Sequence, residues 1–85
     1  MPELCRFFGI VIAMLHRDHE PSHFHALYGD QEITVEIETG IVTGRMSKRA
    51  LRLVLEWYEE HRDELREDWQ RALRKEPLEP IAPLE

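Results

Sequence analysis

At 85 residues the chain has room for one domain, and a 42% hydrophobic, 33% charged composition describes a folding globular chain instead of a disordered one. A formal net charge of −6 argues against general nucleic-acid binding, because that affinity comes mostly from neutralised phosphates. The single cysteine, Cys5, excludes an internal disulfide and fits a reducing compartment.

The longest apolar run, residues 7–15, is broken by Gly9 and falls short of the ~18 residues a membrane span needs. No basic segment precedes it and no small-residue cleavage site follows, so neither a span nor a signal peptide is expected. The cytoplasm is the expected location. The charge is uneven. Residues 1–46 carry seven acidic and three basic side chains, so any nucleic-acid contact would have to use the local patch Arg45, Lys48, Arg49 and Arg52.

In chain order, residues 5–16 are apolar on both alternating faces and rich in Ile, Val and Phe, which predicts a central strand. A polar loop over 17–22 contains Pro21 and leads to a second strand over 23–28. Gly29-Asp30 is a two-residue hairpin turn of the glycine-first type. Residues 32–37 then alternate, with Ile33, Val35 and Ile37 on one side and Thr34 and Glu36 on the other, as a half-exposed antiparallel strand does. Thr39-Gly40 is a second turn, and 41–43 form a short fourth strand.

Ser47 is a good N-cap, with Met46 before it placed to pack on Leu51. Apolar residues follow at helical spacing: Leu51, Val54, Leu55, Tyr58, Leu65, Trp69, Ala72 and Leu73. The polar stretch EEHRDE at the centre leaves one long helix or two shorter ones joined near His61, with two favoured. Glu67 and Arg71 are spaced for an i,i+4 ion pair. Pro77 ends the helix, and Pro80 and Pro83 favour an extended polyproline-II tail. The expected fold is therefore α+β: a four-stranded antiparallel meander with a helical segment packed on one sheet face. Residues 1–76 form the domain and 77–85 the Pro-rich tail.

The concentrated chemistry is His16, His19, His23 and His25. Period-two alternation puts His23 and His25 on one face of their strand, with Phe24 turned towards the core. The chain reversal can bring His16 or His19 back to them. Converging imidazoles suit a divalent transition metal such as zinc, nickel or iron, with Glu20 or Asp18 as a further ligand. They equally suit proton transfer near neutral pH. The structural alternative is that these rings only hydrogen-bond loop carbonyls and each other, fixing the turn around Pro21. His61 is expected to be solvated on a charged helix face, Cys5 to be buried and inert, and Trp57, Tyr58 and Trp69 to be core or interface.

Residues 1 to about 75 resemble the bacterial family catalogued as domain of unknown function 4160. The resemblance rests on the strand Arg6-Phe7-Phe8-Gly9-Ile10 and on Asp18-His19-Glu20-Pro21-Ser22-His23-Phe24-His25 before a Gly-Asp turn, with Trp57, His61, Leu65 and Trp69 in the helical half. Ser22 stands where the family more commonly has a second proline. The resemblance implies that His19, His23 and His25 act together. It also implies a small protein partner encoded nearby, in a toxin–antitoxin-like arrangement.

Three expectations follow. The first is an effector subunit, plausible as the toxin half of such a pair, that cleaves RNA phosphodiesters. Two of His19, His23 and His25 would serve as base and acid, and Arg49 or Lys48 would stabilise developing charge. The second is a metal-binding module with His19, His23 and His25 as ligands. The third is a non-catalytic interaction domain that docks a partner or a second copy through its helical face and tail. No membrane role is expected.

Overall fold

The computed structural model describes residues 2–85. It contains β1 (Glu3–Phe7), β2 (Ile10–Ala13), β3 (His23–Tyr28), β4 (Gln31–Glu36), β5 (Val42–Arg45) and α1 (Lys48–Leu73). The strands form one antiparallel sheet in the order β1-β2-β3-β4-β5, so consecutive strands are neighbours throughout. No helix among the described residues is long and apolar enough to cross a membrane.

The sheet has five strands, not four, because the run over 5–16 folds back on itself. Phe8 and Gly9 have φ of 49° and 81°, the two consecutive positive values that a tight type I′ hairpin requires. Gly9 was legible as a break, but its partner in the turn is an aromatic residue that rarely adopts positive φ. Phe8 is correspondingly 53% exposed, at the hairpin tip.

The register separates two faces. Cys5, Ile12, Ala26, Ile33 and Gly44 form one row across all five strands. This row and its neighbours Phe24 and Val35 face the helix and supply much of the core. The alternate row is Glu3, Ala13, His25, Thr34 and Thr43, on the opposite face. Gly44 is required where it stands: at φ 107°, a Cβ there would lie 2.6 Å from the Glu32 carbonyl oxygen.

Ser47 caps the helix, its Oγ accepting from the Ala50 N–H at 3.3 Å. The helix packs on β3 through Trp57 and Tyr58, whose rings lie 5.6 and 6.0 Å from that of Phe24. Tyr58 also donates its hydroxyl to the Ile37 carbonyl at 2.6 Å. One helix spans the stretch where two were favoured, interrupted at His61, whose φ/ψ of −124°/23° is non-helical. His61 is not solvated. Its ring stacks on Trp57 at 5.3 Å and its Nδ1–H donates to Glu64 at 2.6 Å. The Glu67–Arg71 pair is present at 3.7 Å.

Residues beyond the helix carry no regular secondary structure, and 79–82 bond to α1 and to the edge strand β1. Ile81 and Leu84 are buried in the main core. The Trp57 indole N–H donates to the Ala82 carbonyl at 2.8 Å, and the Ile81 N–H to the Leu4 carbonyl at 3.2 Å. Asp68, fully buried, accepts the Glu79 N–H at 2.9 Å. Cys5 lies on the core side, and burial pushes its thiol up to about 12, which keeps it protonated and unreactive.

Candidate metal centre

Strand alternation builds the site. With Phe24 and Ala26 committed to the core, His23 and His25 share the other face of β3, His23 at the strand's end where Trp69 of α1 reaches its ring, and both are largely shielded from solvent. The loop after β2 folds back to meet them. The Arg17 N–H donates to the Ala72 carbonyl at 3.3 Å and the His16 Nε2–H to the Glu76 carbonyl at 3.1 Å, so the end of α1 anchors this loop. His16 is thereby taken out of the cluster.

Anchoring there delivers Asp18 to the two imidazoles. One carboxylate oxygen, Oδ2, lies 2.9 Å from Nε2 of His23 and 3.3 Å from Nε2 of His25. The other oxygen, Oδ1, accepts the His19 backbone N–H at 2.8 Å. Burial pulls the Asp18 carboxyl upward. The His19 N–H and the two imidazoles outweigh it and hold the group below its ordinary value, ionised at neutral pH.

The far nitrogen of each ring is also held. His23 Nδ1 lies 2.8 Å from the Pro21 carbonyl and His25 Nδ1 lies 3.1 Å from Glu32 Oε2. A carbonyl and a carboxylate only accept, so the hydrogen belongs on Nδ1 in both rings. Asp18 Oδ2 also only accepts, so each Nε2 meets it through a hydrogen, or presents its lone pair where a cation takes that hydrogen's place. Two imidazole nitrogens and a carboxylate oxygen, all within 4.8 Å of one another, make a donor set able to hold a cation.

The other residues that the sequence singled out are placed differently. His19 stacks on His23 at 5.2 Å, but its side chain is 82% exposed against 13% for Asp18. Its Nδ1–H donates to the Glu20 carbonyl, and its Nε2 lies 3.7 Å from Asp18 Oδ1. Among the described residues, the compact cluster is Asp18, His23 and His25. Lys48 and Arg49 are exposed at the start of α1, whereas Trp69 near its end stacks on His23 at 5.4 Å. At 1.5 Å per residue these cations stand about 30 Å along the helix from the histidines. Glu32 was not singled out as a site residue. Its signal was in the register: it pairs with Leu27, two residues from His25 and on the same face.

A groove of about 470 Å³ opens beside the cluster, with Leu15 and Pro21 on its walls and Thr34, Glu36 and Thr43 contributed by the sheet. A depression of similar size, about 490 Å³, lies on the helix among Glu59, Asp63 and Arg66. Its charges are solvent-facing ion pairs, such as Arg66–Asp63 at 2.6 Å, so we place the chemistry at the histidines.

Fold and site together define an α+β protein with an open cluster of two histidines and one carboxylate on the free face of its sheet. By sequence the chain belongs to the family described as domain of unknown function (DUF4160), whose model matches residues 9–70. That span includes the whole cluster. No curated protein and no solved structure matches the chain.

Proposed function

We propose that this protein is a divalent transition-metal module in which Asp18, His23 and His25 are the ligands. The observation that carries the reading is the paired orientation of the rings. Each imidazole has its Nδ1 side held by an acceptor, Pro21 or Glu32, and its Nε2 side turned to a shared carboxylate. Metal-binding histidines are oriented by outer partners in the same way.

The dimensions agree. Tetrahedral ligands about 2.1 Å from a zinc ion lie roughly 3.4 Å apart. The imidazole–carboxylate distances, 2.9 and 3.3 Å, are within about half an ångström of that value, and all three ligand atoms lie within 4.8 Å of one another. Three protein ligands beside an open groove leave positions for water or a small molecule. A zinc, iron or nickel ion there would act as a Lewis acid or lower the pKa of a bound water.

The geometry favours this reading over RNA cleavage assisted by Lys48 or Arg49, because no lysine or arginine lines the groove. A hydrogen-bonded carboxylate and imidazole also form a base and its orienting partner, so metal-free proton transfer by Asp18 and His23 is the second reading. One experiment separates the two. Chelator-stripped, tag-free protein is titrated with zinc, nickel and ferrous iron. One equivalent bound at micromolar concentration or below, and lost in His25→Ala, is the expected result. A folded protein that takes up none of the three metals contradicts the metal reading.

A further inference from the structure

The groove beside the cluster carries a charge pattern that the three metal ligands leave unused. Glu36 pairs in register with His23 on the same face of the sheet and is one of the residues that line the groove. One of its oxygens accepts the Thr39 hydroxyl at 3.0 Å, and no cationic side chain pairs with it among the described residues. Directly opposed residues on an antiparallel pair have Cβ atoms about 5 Å apart. Among the three ligands Asp18 alone carries charge and Glu32 acts only through the far nitrogen of His25, so a divalent ion would keep positive charge at the groove that Glu36 also lines. Between and beside them stand the hydroxyl-bearing Thr34 and Thr43 and the apolar Leu15 and Pro21.

We infer that the groove takes a small zwitterion, an α-amino acid with an apolar side chain, whose carboxylate completes the metal's coordination while its ammonium pairs with Glu36. The inference rests on the metal reading above. Each part of the ligand answers a part of the groove. The metal takes the anionic end and Glu36 the cationic end, while Leu15 and Pro21 cover the aliphatic branch. A phosphodiester would present its negative charge to Glu36 with no arginine or lysine to receive it. The volume of about 470 Å³ lies in the small-ligand range.

The test uses the full chain loaded with cobalt(II), whose visible absorption reports both occupancy of the site and any change of its ligands. L-leucine is expected to perturb the spectrum at least about tenfold more tightly than 4-methylpentanoate, which has the same branch and carboxylate but no ammonium. Glu36→Gln should remove that difference while one equivalent of cobalt still binds, and the dinucleotide ApA should have no effect. Equal binding of the two acids, an unaltered preference in Glu36→Gln, or tighter binding of ApA would each overturn the inference while leaving the metal centre standing. Cobalt stripped alike from wild type and variant by leucine would overturn it in the same way. Failure of the wild-type protein to take up cobalt at all would bring down both.

Discussion

The strand β3 has two sides that do different work. Phe24 and Ala26 point into the core, fully buried beneath the helix, while His23 and His25 meet Asp18 on the opposite face. The apolar side is held by shape, with Phe24 wedged against Trp57 and Tyr58. The polar side is held by directed hydrogen bonds to Pro21, Glu32 and Asp18. Because side chains alternate with period two, adjacent residues serve stability and chemistry separately. A one-residue slip would exchange them, so the buried aromatic also fixes where the imidazoles point.

The sharpest way to break this contrast is on the core side. Phe24→Ala should cost about 3–5 kcal/mol in chemical denaturation, a large part of a small domain's stability. His25→Ala, one residue on, should cost under about 1 kcal/mol of metal-free stability. Calorimetric titration should instead show metal affinity falling by more than roughly 100-fold. Comparable stability losses in the two variants would mean that the faces are not separate.

A smaller effect belongs to the outer partner. Glu32→Gln keeps an acceptor for His25 Nδ1–H but removes its charge, and metal affinity should fall about tenfold with the stoichiometry unchanged.

The smallest effect lies far from the metal. Burial raises the Asp68 carboxyl above its ordinary value, against the opposing pull of the Glu79 N–H and Arg71, and the Glu79 carboxylate adds to the rise. Its Oδ2 has no partner. A carboxyl raised in the folded state binds more protons there than in the unfolded chain. Its contribution to stability therefore declines as pH rises from the ordinary aspartate value through the folded one. Asp68→Asn should flatten that slope in denaturation curves measured across the acid range, and leave neutral-pH stability unchanged or raised by about 1 kcal/mol. Metal affinity should not move.

Much of the fold was legible because periodicity carries it. The alternation over 32–37, the Gly29-Asp30 turn, the Ser47 cap and the helical stripe all reappear as elements with close boundaries. The fifth strand was hidden because its turn begins with Phe8, a residue whose positive φ no composition rule anticipates. His61 looked solvated because its sequence neighbours are charged, yet a helix brings it over Trp57, four residues back. At the site, His23 and His25 were readable from strand geometry alone. The relative places of Asp18 and His19 were not. They are adjacent in a loop, and which one turns inward is decided by the His16 side chain's bond to the Glu76 carbonyl and the Arg17 backbone bond to Ala72, sixty and fifty-five residues away. The remoteness of Lys48 and Arg49 has a similar origin, since it follows from the direction in which the helix crosses the sheet.

X-ray absorption fine structure on the zinc-loaded protein tests the centre most directly. We expect two imidazole nitrogens at about 2.0–2.1 Å with oxygen ligands completing the shell, unchanged in His19→Ala. A shell of three imidazoles that loses one in His19→Ala, or one with no imidazole at all, would contradict the assignment of Asp18, His23 and His25.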